Sequence, residues 1–522
     1  MGMVAGNRIT WGEAGAMKTS DRAGRGDSGP TANRRRALAG SALALAASAL
    51  PVASRAQSSP PRPDPPVTEA LCRFVAGSQD APVPDDILDL GRLHILDTLA
   101  SAVACRDLKA ATLARGFAEA QSGDARRSAV TILATRDKAA LIDAVFASAM
   151  TAHAAEINDY VPSAFVQPGP SVVAAALGLA EQRGLSGAEM LKAVIVGYEL
   201  ASRVPKALGN RNLMRAGLAN HGVGPVFGVA AAAASLMRLS PEQVGAVLTY
   251  CSQQAAGSWQ WLLDVEHVEK AFVFAGMGAR SGLQAALFAE LGFTGVRANL
   301  DQPGGFMAQG MFNGPDSDLD RASLIDGLGE RWEMPLVGFK RFPTGGPTQP
   351  AVQGLLQLLP QVRAETTAGV RIEMPGRWEA FRDAAMPALN LRYLSAIILI
   401  DRRLDFVSAQ SLERMAGDAQ VRSFMERVEI AHDPAQEARP GQPRAESARV
   451  IVTDASGRRH EAFVPNVPGY PPHPMSREDV ESKAAELMAP RLGERRAAAV
   501  VDACRDLARL THGADLAHLI AV

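Results

Sequence analysis

From Thr68 to about Phe293, apolar residues recur at three-to-four-residue spacing with hardly a break, and alanine or glycine fills many of those positions. This period collects the apolar side chains into one stripe along a helix. Runs such as SVVAAALGLAE (Ser171–Glu181) and VFGVAAAAASLMRL (Val226–Leu239) carry side chains so small that helix backbones can approach closely. A chain of this kind folds as a packed helical bundle, with these runs at its centre. Start signals agree with that reading. Ser186 is followed three residues later by Glu189, and Ser240 by Pro241 and Gln243. In each case a hydroxyl can cap the helix while the later side chain reaches back to the cap amide.

The pattern changes near Phe339. GVRIEMP, RVEIAHDP and ARVIVTDASGRRHEAFVP alternate like strands, the last with a turn at Ser456-Gly457. Helical runs lie between them, around Leu391–Ile400 and Ser408–Met415. After Pro472 the helical period returns, with Ser476 and Asp479 as a cap pair. The expected fold is mainly α: a large all-helical domain from residues 67–338 and 473–522, interrupted by a smaller inserted α+β lid over residues 339–472.

Residues 1–56 read differently. Arg34, Arg35 and Arg36 precede a mild Ala/Leu run, and Ser54 and Ala56 supply small residues of a cleavage site. This resembles a twin-arginine export signal, followed by a Pro-rich linker over residues 57–66. The run is too short and too weakly apolar to span a bilayer. Periplasmic residence without stable membrane insertion is the expectation, or cytoplasmic residence if translation starts at Met3 or Met17. The chain has 522 residues and a formal net charge of −1, which points to no nucleic-acid partner. Its four cysteines, Cys72, Cys105, Cys251 and Cys504, are far apart and form no metal-ligand spacing. The glycines of GGPTQP lack phosphate-loop spacing.

One stretch breaks the apolar pattern. In HAAEINDYVPSAFVQPGPSVV (His153–Val173), one helix end gathers His, Glu, Asn, Asp and Tyr within eight residues before a Pro/Gly turn. Burying so many polar groups is costly unless each is partnered, so the stretch reads as the floor of a polar cavity. Downstream, Lys270 and Arg280 lie ten residues apart, close to three helical turns, and Lys340-Arg341 opens the lid. Such cations grip carboxylates. Glu156 and His221 are proton-transfer candidates, although His221 serves equally well as a helix cap. His267 and Glu269 read as solvated face, and His153 as an interior residue. Trp259 and Trp261 line either the cavity or an interface.

The order of blocks LHILDTLASAVAC, HAAEINDY…QPGPSVVAAALGLAE, AVIVGYELASRV, FGVAAAAASLMRLSPEQVGAVLTYCSQQAAG, EKAFVFAGMGARSGLQAALFAELGFTG and FKRFPTGG resembles the MmgE/PrpD family, which includes 2-methylcitrate dehydratase and cis-aconitate decarboxylase. The resemblance runs from about Val67 to Ile520. It implies a helical domain with an α+β lid, a homodimer, and proton transfer next to a carboxylate of a small di- or tricarboxylate without metal or organic cofactor. On its motifs, the catalytic candidates are Glu156, Asp159, His221, Lys270 and Tyr393. The substrate-binding candidates are Tyr160, Gln167, Arg280, Lys340 and Arg341. The chain also departs from the family pattern. Glu156 stands for an aspartate, Tyr160 for a threonine, Gln167 for a histidine, and Gly345 or Gly346 for the histidine of the lid block. A hydratase or dehydratase is the leading expectation, and a binding protein that has lost the chemistry is the alternative.

Overall fold

A computed structural model describes residues 66–123, 129–439 and 446–522. The signal region and all but the last residue of the linker lie outside them. Among the described residues no helix is long and apolar enough to cross a membrane.

The helical body is organised around small residues. Helix Gly187–Leu208 crosses helix Asn220–Leu236, and helix Met277–Glu290 packs on the latter from another side. At Gly197 an added Cβ would lie 2.5 Å from Val172 Cγ1 and 3.0 Å from the Gly228 carbonyl oxygen. At Gly282 it would lie 2.4 Å from the Val226 oxygen. These backbones touch almost directly, as the alanine- and glycine-rich runs require. All three cap pairs form as reciprocal boxes, at Ser186/Glu189, Ser240/Gln243 and Ser476/Asp479.

The helical period is broken once where the sequence reading ran it through. Strands Ala129–Thr131 and Lys138–Ala140 form a small antiparallel hairpin. Three-residue strands are too short for an alternating pattern to show. The hairpin is fixed from outside: the Thr131 backbone N–H and hydroxyl both donate to the Glu181 carboxylate, at 2.7 and 2.9 Å.

The lid has its own apolar core. Its sheet runs β4-β3-β5-β6, with β3 Thr367–Met374 central, β4 Val428–His432 parallel to it, and β5 Ala448–Asp454 and β6 Arg459–Val464 antiparallel. One face packs on helices Gln349–Leu358 and Leu391–Asp401. The other carries ion pairs joining Arg371 to Glu373 and Glu429, and Arg449 to Glu461. That alternation is why the strands were legible as strands.

The chain between body and lid, residues 291–338, is mostly irregular and is anchored by a buried ion pair. Arg203 binds Glu199 at 2.9 Å and donates to the carbonyls of Asp326 and Arg331, at 2.9 and 2.6 Å. Helix Arg477–Leu492 then returns to pack on helix Asp85–Cys105.

The close helix crossing is directly testable. Gly197→Ala forces a methyl into Val172 and should cost about 1–3 kcal/mol, read as a lower urea midpoint. Gly116→Ala, on an exposed stretch of helix Lys109–Ser122 with nothing within 4 Å, should instead stabilise by about 0.5–1 kcal/mol.

Candidate active site

The polar stretch after helix Leu141–Ala152 is fully buried, and its side chains divide into two clusters. Asn158 ties the turn together: its amide donates to the Ala152 carbonyl at 2.6 Å, and its Oδ1 lies 2.5 Å from His153 Nδ1. This turn aims Glu156 one way and Asp159 the other.

Glu156, 2 % exposed, is the centre of the first cluster. One carboxylate oxygen is paired with Lys270 and lies 3.2 Å from His267 Nε2. The other oxygen accepts from Lys340 at 3.0 Å. Lys270 sits on the single helical turn Val268–Ala271, whose start is held by the Asp264 carboxylate accepting from the Lys270 N–H at 2.8 Å. Its ammonium lies over Trp261 and Phe274, 4.7 and 5.0 Å from the ring centroids. The rings of His153 and His221 each lie nearly parallel to Phe274, at 5.0 and 3.8 Å. His153 Nε2, His221 Nδ1 and His267 Nδ1 are buried with no hydrogen-bond partner among the described residues.

The electrostatics follow from this geometry. Burial pushes the Glu156 carboxyl up, but Lys270, Lys340 and His267 together outweigh it and hold it well below the usual carboxylate range. Burial draws the Lys270 ammonium down from its ordinary value, and Glu156 opposes that. Burial, with neighbouring positive charge, also holds His153 and His221 well below the ordinary imidazole value, so both are neutral near pH 7. His153, Glu156 and His267 offer donor atoms within 4.8 Å of one another. Both Glu156 oxygens are already engaged by ammonium groups, which would repel a metal cation.

Asp159 centres the second cluster. It accepts from the Tyr198 hydroxyl at 2.5 Å and from Gly169 N–H at 3.2 Å, and lies 3.4 Å from His94 Nδ1. Nearby, Lys483 donates to Asp97 at 2.6 Å and to the Ile157 carbonyl at 2.9 Å. His94 stacks on Phe339, the residue before Lys340, with centroids 4.2 Å apart. This layer braces the turn that carries Glu156 against the C-terminal helix and the lid entry.

Several expected site residues lie elsewhere. Arg280 is exposed. A π-helical turn over Phe272–Gly276 adds a residue to the winding and breaks the phase that would have aligned Arg280 with Lys270. Arg341 is half-exposed, its guanidinium 3.9 Å from Glu486. In this non-helical segment successive side chains point to opposite sides, so Lys340 turns in and Arg341 out. Tyr393 is fully buried in the lid's own core, where its hydroxyl donates to the Ser408 carbonyl at 2.6 Å. Burial pushes that hydroxyl up to about 12.

Tyr160 pairs through its backbone with Gly338 in both directions, at 2.9 and 2.7 Å, and its ring meets Tyr470 edge-on. Gln167 is buried, and its Oε1 has no hydrogen-bond partner among the described residues. His221 makes no helix-cap bond. His267, expected on a solvated face, is 6 % exposed and takes the left-handed backbone conformation (φ 60°). His94, Asp97, Tyr198 and Lys483 were missed. The available signal was a His and an Asp three apart within the mainly apolar stretch Leu93–Cys105.

Two family models match the chain: the MmgE/PrpD N-terminal domain over residues 69–320 and the MmgE/PrpD C-terminal domain over residues 342–507. The cis-aconitate decarboxylase of Aspergillus terreus is 27% identical over 307 residues, which is 56% of this chain and 60% of that enzyme. A cis-aconitate decarboxylase-like protein of Aspergillus oryzae is 26% identical over 310 residues, 56% of this chain and 61% of that protein. The matched region thus spans about three fifths of the length of these curated relatives.

The two clusters make separate predictions. Lys483→Met strands the buried Asp97 and should cost about 3–5 kcal/mol of unfolding free energy. Adding Asp97→Leu should recover much of the loss in the same urea titration. Glu156 has a folded pKa below its ordinary 4.5, so its stabilising contribution is complete above that value and fades as pH falls through the folded one. The stability difference between wild type and Glu156→Gln should therefore shrink on acidification below about pH 4.5.

Proposed function

Because the chain belongs to the MmgE/PrpD family, we propose that the Glu156 cluster is the active site of a lyase acting on a small di- or tricarboxylate. Hydration or dehydration by proton transfer next to a carboxylate is the favoured reaction, with decarboxylation or isomerisation as variants. The observation that carries this reading is the convergence of Lys270 from the body and Lys340 from the lid entry on one buried carboxylate, beside the neutral imidazoles of His153 and His221. Two ammonium groups held in a dry site can bind a substrate carboxylate and stabilise the enolate-like charge that develops when the neighbouring carbon loses its proton. Glu156, His153, His221 and His267 are the proton-handling groups within reach. Arg280 and Tyr393 are left out of the proposed chemistry, and Asp159 is assigned to bracing. The reading includes action without a cofactor, as the family resemblance implies, in a homodimer exported to the periplasm.

A second reading is a carboxylate-binding protein without turnover. It is favoured by Gln167 and Gly345 or Gly346 standing where the family resemblance implies histidines.

Incubation with a panel of hydroxy- and unsaturated di- and tricarboxylates in deuterated buffer, followed by proton NMR, separates the two. Turnover, or deuterium uptake next to a carboxylate, is expected with at least one acid. Lys270→Met and Lys340→Met should each lower kcat/KM by about 100-fold or more. Thermal stabilisation by an acid with neither turnover nor exchange would establish the binding protein instead.

A further inference from the structure

Glu156 occupies the place that an anionic ligand would take. Its two oxygens hold Lys270 and Lys340, two buried cations at the meeting of body and lid, while the nearby Lys483 is paired with Asp97. The carboxylate is faced by Lys270 and His267 from residues 267–271, by Lys340 from the lid entry, by His153 from its own helix end, and by His221 from helix Asn220–Leu236. Asp264 lies behind Lys270, and Asp159 points away into the second cluster. Among the described residues no arginine joins this group: Arg280 is exposed and Arg341 faces Glu486.

We propose that Glu156 is a built-in stand-in for the ligand's carboxylate: an arriving carboxylate takes over Lys270 and Lys340, and Glu156, stripped of its counter-ions, accepts a proton. This inference rests on the reading of the cluster as a carboxylate site.

The physical argument is a charge balance. In the ligand-free protein, two ammonium groups and one carboxylate are buried together. Adding a dianion while Glu156 stays ionised would leave three negative charges against two positive ones in a site of low polarity. Uncompensated buried charge is expensive, and the cheapest relief is protonation of the carboxylate that has lost its partners. In the free protein the same lysines, with His267, hold that carboxyl ionised. With a reactive substrate, the proton comes from the carbon next to the substrate's carboxylate. The C–H pair stays on carbon as the enolate-like charge, and Glu156 becomes the neutral acid. Ligand binding thereby turns a counter-ion into a base at the moment a base is needed. With an unreactive dianion, the proton comes from water.

The test is isothermal titration calorimetry of the full protein with succinate and with tricarballylate, between about pH 6.5 and 8, where the probe carboxylates are largely ionised. Each titration is repeated in buffers of different ionisation heat. Wild type should take up about one half to one proton per anion bound, and affinity should strengthen as pH falls, by up to about tenfold per unit. Glu156→Gln should bind at least as tightly, with uptake near zero and a flat pH profile. Binding by wild type without proton uptake overturns the inference and leaves the carboxylate site standing. Equal uptake in Glu156→Gln assigns the proton to an imidazole and also overturns it. Failure of either anion to bind wild type overturns the carboxylate site itself, and the inference with it. Should Glu156→Gln not fold, Glu156→Asp replaces it: the shorter arm loosens both lysine contacts in the free protein, so reduced uptake supports the inference and unchanged uptake refutes it.

Discussion

The constraint on which the structure turns is that Glu156 is buried as a carboxylate and has to be compensated there. A lone ionised group at that depth would lose far more solvation than packing returns. Lys270 and Lys340 compensate it, and they come from opposite sides of a boundary. Lys270 belongs to the helical body and Lys340 to the first residues of the lid. The carboxylate is therefore the electrostatic joint between the two parts. The backbone bridge between Tyr160 and Gly338 and the stacking of His94 on Phe339 fix the same joint from either side. Placement of the lid follows from how the charge is satisfied.

The helical body makes that burial affordable. Helices that meet through glycine and alanine leave few voids, and a polar group introduced among them can be held on all sides. The second cluster shows the same economy. Lys483 reaches in from the C-terminal helix to pair with Asp97 and to cap the Ile157 carbonyl. Asp159 is held by Tyr198, by the start of helix Gly169–Arg183 and by His94. An added Cβ at Gly169 would lie 2.6 Å from Thr98 Oγ1 and 2.9 Å from Asp159 Oδ2. The turn carrying Glu156 thus rests on a layer with no room to relax, the condition under which a site keeps its geometry.

The large features were legible because each has a periodic signature. Small-residue helices, three cap pairs and the lid strands follow from spacing alone, and the polar stretch at His153–Tyr160 announced a cluster of partnered polar groups. What escaped depended on phase or on distance along the chain. Arg280 was placed beside Lys270 by counting helical turns, and one π turn undid the count. Arg341 was grouped with Lys340 because they are adjacent, which is the reason a non-helical backbone separates them. Tyr393 was carried over from a motif, yet its helix turns that ring into the lid core. Lys483 lies more than three hundred residues from the turn it braces, and no local pattern marks it.

His267 joins these observations into one picture. A histidine rarely adopts the left-handed conformation unless its surroundings demand it, and the strain amounts to about 1–3 kcal/mol. Here the conformation turns the ring inward to Glu156 and starts the short helix that presents Lys270 three residues later. The family resemblance implies histidines where the chain has Gln167 and Gly345 or Gly346, yet the cluster is not poor in imidazole. His153, His221 and His267 gather around Phe274 and Glu156. These rings face the same carboxylate that pairs with both lysines. A left-handed backbone turn, three inward-facing rings and two lysines thus converge on a single buried charge.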